Sequence, residues 1–192
     1  LFRIRGIQLS LHASFLLLIT YYGVKGYREA GAKGLAWELA LLIAFVTCIV
    51  LHELGHSFTA KHFGVNVRRI LLMPIGGMAE FDAIPREPRK ELLITVAGPA
   101  VNFAIATLLY LGLTAYGVPL DTAEFPANAS EFLWTIAVVN LVLGLFNLIP
   151  VFPMDGGRIL RALLAWRLSY VRATFWAATV GKVLAVAGIL AA

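Results

Sequence analysis

Charge and cysteine are what this chain has least of. Only 14% of its 192 residues are charged, where a soluble domain carries about a quarter. With 60% hydrophobic residues, several apolar runs are long enough to cross hydrocarbon. That excludes an ordinary water-facing fold. The single cysteine, Cys48, lies in an apolar run and rules out an internal disulfide; its ordinary role there is that of a small buried hydrophobe. No small-residue cleavage pattern follows the first apolar segment, so no cleavable signal peptide is expected. The net charge of +5 comes without an aromatic-interleaved basic patch, which sets nucleic acid aside as a partner. What remains is a single polytopic domain, residues 1–192, embedded in a lipid bilayer.

The hydrophobic pattern predicts an α-helical membrane protein of about five to six transmembrane helices. Apolar spans fall at about residues 7–22, 35–63, 91–116, 131–149 and 171–192. The first is polar at its start (Gln8, Ser10, His12, Ser14). After the second span, Val65, Val67, Ile70, Leu71 and Leu72 favour strand, and Met73-Pro74-Ile75-Gly76-Gly77 punctuates them as a turn. This predicts a short β-hairpin-like segment. Residues 117–130 form a polar, acidic loop, and residues 158–168 read as a basic amphipathic piece at the interface. An N-terminus on the cytoplasmic side places twelve of the sixteen basic residues inside, against Lys25, Arg28 and Lys33 outside. Five spans then end outside, so a truncated C-terminal end with a sixth helix beyond Ala192 is expected.

Within the second span stands His52-Glu53-Leu54-Gly55-His56. Ionisable side chains at that depth cost roughly 2.5–3.5 kcal/mol per charge unless something compensates them. In a soluble helix this pattern can be a solvated polar face; in an apolar span nothing solvates it. Histidines at i and i+4 project from one helix face and can grip one zinc ion, leaving Glu53 beside the metal as a base. About 15 Å of helix separates His52 from His62 at 1.5 Å per residue, which sets the metal inside the bilayer nearer the cytoplasmic face. Zinc needs a third protein ligand, and the candidates are His12, His62, Glu80, Asp82 and Asp155. Asp155 follows a span broken by Pro150 and Pro153 and precedes Gly156-Gly157. Irregular backbone at membrane depth is tolerated where it is buried in protein or lines a cavity. An interfacial turn would explain Asp-Gly-Gly alone; beside His52 and His56, the ligand reading is the better one.

His-Glu-Leu-Gly-His together with Asn147-Leu148-Ile149-Pro150-Val151-Phe152-Pro153-Met154-Asp155-Gly156-Gly157-Arg158 closely resembles the site-2 proteases of the compact prokaryotic type. Pro74-Ile75-Gly76-Gly77 and Ala97-Gly98-Pro99 with Asn102 extend the resemblance over nearly the whole chain. The resemblance implies an intramembrane zinc metalloendopeptidase acting on the transmembrane segments of membrane-protein substrates. It implies His52, His56 and Asp155 as ligands of one zinc per chain, Glu53 as general base or acid, and a role for Asn147 near the scissile carbonyl. A prokaryotic cell membrane is the expected location. A strand edge near residues 70–77, with Gly76 and Gly77, could receive an unwound substrate by β-addition. A metal transporter would instead spread its ligands along a path between both faces, and would leave Glu53 without a purpose.

Overall fold

The structure, a computed structural model, describes residues 2–74, 76–82, 85–118 and 128–191. Most of the acidic loop at residues 117–130, and Ile75 of the predicted turn, lie outside the described residues.

The chain opens with two strands, β1 (Phe2–Ile4) and β2 (Ile7–Leu11), rather than with helix. Ile7 and Leu9 are buried while Gln8 is exposed. Gln8 and Ser10 at the head of the first span are thus on the outer face of a strand, whose period is two. Helix α1 (Phe15–His62) then carries two of the predicted spans. It breaks at Ala30 (φ −140°, ψ 25°) and Gly31 (φ 60°, ψ −143°), the second a conformation that glycine adopts at little steric cost. The two arms fold back on each other: a Cβ at Gly26 would lie 2.5 Å from the Gly34 carbonyl oxygen. Lys25 Nζ donates to Glu38 Oε1 at 2.9 Å across the same crossing, with Glu38 buried. A salt bridge there offsets the cost of a carboxylate out of water.

Strands β3 (Val67–Met73) and β4 (Gly76–Phe81) form the predicted hairpin. It belongs to a larger four-stranded sheet of order β1-β2-β3-β4. β2 runs parallel to β3, pairing Leu9 with Ile70, and the other neighbours are antiparallel. A register shift between Val67 and Arg69 moves the inward face from Val67 to Ile70 and Leu72, as a bulge does. Those three side chains join Ile7, Leu9, Ile49, Leu54 and Ile94 in one buried cluster, so the sheet is fixed to the second arm of α1.

Pro88 opens α2 (Pro88–Ala115), a position that has no use for a backbone N–H. Asn128 caps α3 (Ala129–Asn147), its side chain accepting from Glu131 N at 2.9 Å. The short α4 (Asp155–Leu164) and α5 (Tyr170–Ala191) complete the described chain. α2 packs against α1, α3 and α4. Among the described residues, α1, α2, α3 and α5 are long and apolar enough to cross a membrane; α1, folded back, supplies two arms.

Replacing Gly34 by Leu should force the α1 arms apart and lower stability by about 1–3 kcal/mol. The check is the apparent melting temperature in detergent, and an unchanged value would mean that the arms do not touch there.

Candidate metal centre

His52 and His56 lie one turn apart on the second arm of α1, and both are buried. The turn between them holds Gly55, where a Cβ would lie 2.7 Å from the Ala97 carbonyl oxygen of α2. Glycine therefore lets the two helices close together. Opposite stands Gly98, where any Cβ would overlap the ring of His56 and approach His52 Nε2 to 2.8 Å. Pro99, the next residue, lacks the N–H that would have bonded the Thr95 carbonyl. These small and interrupted positions make room for two imidazoles between two helices.

Asp155 arrives from the far side, 99 positions further along the chain than His56. It is the first residue of α4, whose start is pressed against the broken end of α3: side chains at Gly156 would overlap the Leu148 and Ile149 carbonyls. Nothing larger than glycine fits there. The result is that Asp155 Oδ2 lies 3.2 Å from His52 Nε2 and 3.1 Å from His56 Nε2, with 3.1 Å between the two nitrogens.

The proton positions on the rings follow from their other neighbours. Asn140 Nδ2 donates to the Ile136 carbonyl at 2.9 Å, which fixes its Oδ1 as the acceptor for Asn102 Nδ2 at 2.9 Å. Asn102 then presents Oδ1 to His52 Nδ1 at 2.5 Å, so the ring donates. His56 Nδ1 donates to the Ile94 carbonyl at 2.8 Å. Each ring therefore keeps its Nε2 lone pair, and both lone pairs meet a carboxylate oxygen. Three electron-rich atoms, buried and with no hydrogen between them, repel one another unless a cation is shared. The donor set of His52, His56 and Asp155 fits one metal ion, and two imidazoles with a carboxylate are a zinc set that leaves a further position open.

The metal centre faces a cavity of about 580 Å³. Glu53 lines it directly under Gly77, where a Cβ would lie 2.5 Å from Glu53 Cγ. Asn147 lines it too, with Nδ2 donating to the Leu143 carbonyl at 3.0 Å. Gly76, at φ 137°, lies on the same wall with open space around it. The other ligand candidates go elsewhere. His12 pairs with Ser14 Oγ at 2.6 Å on the surface, and His62 is exposed. Glu80 accepts from Arg69, whose hydrogen bond holds its carboxyl below the ordinary carboxylate range, and Asp82 is held by Asn66 and Arg68. The resemblance gives Asn102 no chemistry, and the sequence pattern does not single out Asn140; together they orient His52. Their signal was polarity in apolar helices, which alone does not say what the amide meets.

Known proteins are similar to this chain in sequence and fold. A family profile described as Peptidase family M50 matches residues 40–123 and 119–188. A zinc metalloprotease of Methanocaldococcus jannaschii is 42% identical over 191 residues, 99% of this chain and 52% of that one. Rip3 of Mycobacterium tuberculosis is 36% identical over 201 residues, covering 95% and 48% respectively. The chain thus spans about half the length of these curated relatives. Among solved structures, a site-2 protease from Methanocaldococcus jannaschii matches with a TM-score of 0.70 at 40% identity, over 99% of this chain and 82% of that one.

Removing the support of His52 by Asn102→Ala should weaken zinc binding about 10–100-fold. Gly98→Val, which displaces His56, should abolish it. Zinc content after equilibrium dialysis checks both, and full retention in Gly98→Val would contradict the packing described.

Proposed function

The chain belongs to peptidase family M50, and from that membership and its buried donor cluster we propose an intramembrane zinc metalloendopeptidase of the site-2 protease type. It hydrolyses peptide bonds within transmembrane segments of membrane-protein substrates, in regulated intramembrane proteolysis. One observation carries the reading: His52, His56 and Asp155 offer ligand atoms all within 4.8 Å of one another, on a cavity that also holds Glu53. A transporter reading leaves Glu53 idle.

Zinc held by these three residues supplies a Lewis acid that polarises a carbonyl and makes water nucleophilic near neutral pH. The rest falls to the side chains. Glu53 takes the proton of the attacking water and delivers it to the leaving nitrogen. Asn147 carries two N–H groups on Nδ2; one goes to Leu143 and the second is left for the developing oxyanion.

A substrate helix hides its carbonyls in internal hydrogen bonds and must unwind to be cut. β4 is an edge strand of the sheet, and Gly76, Gly77 and Met78 line the cavity wall. We assign that edge the role of pairing with the unwound segment. Gly77 lets the strand pass close over Glu53. Charge placement supports a cytoplasmic N-terminus in a prokaryotic cell membrane, with the metal nearer the cytoplasmic face.

Purified protein should cut single-span membrane substrates in detergent or liposomes. Glu53→Gln should keep its zinc and lose about 10²–10⁴ in rate, and a chelator should stop cleavage reversibly. Cleavage that survives both treatments would sink the mechanism. Gly77→Val, which displaces Glu53 and disturbs the strand edge, should lower turnover with zinc content unchanged; undiminished turnover would remove the assigned role of that edge.

A further inference from the structure

Two arginines one turn apart on α4 have opposite surroundings. Arg161 Nε donates to Glu91 Oε1 at 3.0 Å, and its Nη2 donates to the same oxygen. Its guanidinium also lies over the rings of Phe152 and Tyr170, at 5.5 and 5.1 Å. Glu91 is fully buried. The charge of Arg161 is therefore matched within the fold, where it joins α4 to α2.

Arg158 lines the cavity of the metal centre, together with Asp155 and Glu53. Its Nε and Nη2 are buried and, among the described residues, have no hydrogen-bond partner. A guanidinium always carries its charge and offers a planar fork of donors that matches a carboxylate. Leaving such donors unpaired is costly, so a partner that enters the cavity is expected.

The reaction itself offers a partner of the right chemistry. Arg158 puts a fixed positive charge on the cavity wall beside the metal centre. Hydrolysis of a neutral peptide bond creates the negative charge that answers it. The C–N bond breaks, the oxygen of water bonds to the carbonyl carbon, and both protons of water end on the leaving nitrogen. The products are an ammonium on one fragment and a carboxylate on the other.

We propose that Arg158 is a carboxylate-binding residue of the site, receiving the new C-terminal carboxylate of the N-terminal product fragment. This rests on the hydrolytic reading above and adds a destination for the product. Because the carboxylate exists only after the bond is cut, Arg158 contributes to product retention and release.

The test measures direct binding of two versions of one apolar peptide to the zinc-loaded protein, one ending in a free carboxylate and the other in a carboxamide. The native protein should prefer the carboxylate by at least about tenfold, the range of a hydrogen bond to a charged group, and Arg158→Met should reduce that preference below about threefold. Arg158→Lys should fall between, since it keeps the charge and loses the fork. Zinc content should be unchanged in all three. An undiminished preference in Arg158→Met would overturn the proposal, with the carboxylate then recognised by the metal alone. Loss of zinc from both variants would overturn it as well, because a side chain that meets only product is dispensable to the metal centre. Native protein that shows the preference but cuts no peptide would sink the hydrolytic reading and leave Arg158 a carboxylate site.

Discussion

Two imidazole lone pairs and a carboxylate oxygen held about 3 Å apart in an apolar interior form an arrangement that repels itself. It persists only because each group is held from behind and a cation is accommodated in front. Much of the surrounding structure is intelligible as that holding. The Asn140–Asn102 relay aims His52, the Ile94 carbonyl aims His56, and the glycine-started α4 drives Asp155 inward. Deleting any of these supports leaves the repulsion and removes what opposes it. Amides suit the task because they orient a ring without adding a charge that the bilayer would penalise.

Small residues do a second kind of work. Gly55, Gly98 and Gly156 are each filled by a neighbour's backbone or ring. They lie on three separate elements, yet all three close the distance between a ligand-bearing segment and its support. In a membrane interior, where apolar surfaces gain little from contact with one another, close backbone approach is a main source of packing energy. The same glycines that hold the helices together thus also fix the ligand distances.

Much of the site was legible in the sequence because its constraints are local. His52 and His56 announce a shared face by their spacing, and Asp155 by the prolines and glycines around it. The hairpin at residues 67–81 was legible from its β-branched strand and its turn. The N-terminal strands were not, since Gln8, Ser10 and His12 in front of a greasy run resemble the polar head of a helix as much as an alternating strand. Their partner, β3, lies far along the chain, and non-local pairing leaves no local mark. The same holds for Asn102 and Asn140, whose meaning depends on which helix each faces, and for the contrast between Arg158 and Arg161, which resides in Glu91 on another helix.

The parallel pairing of β2 with β3 has a mechanical consequence. Between them runs the whole of α1, so the sheet joins the two ends of that folded-back helix as a clasp joins a loop. His12 N donates to the Leu72 carbonyl at 2.9 Å, immediately before the first arm begins. The clasp and the strand that borders the cavity of the metal centre are parts of one hydrogen-bonded sheet. Sideways travel of the first arm through the lipid must therefore be taken up at the break at Ala30 and Gly31 or be transmitted to β4. The first arm of α1 and the rim of the cavity are tethered, and lateral force on one is felt by the other.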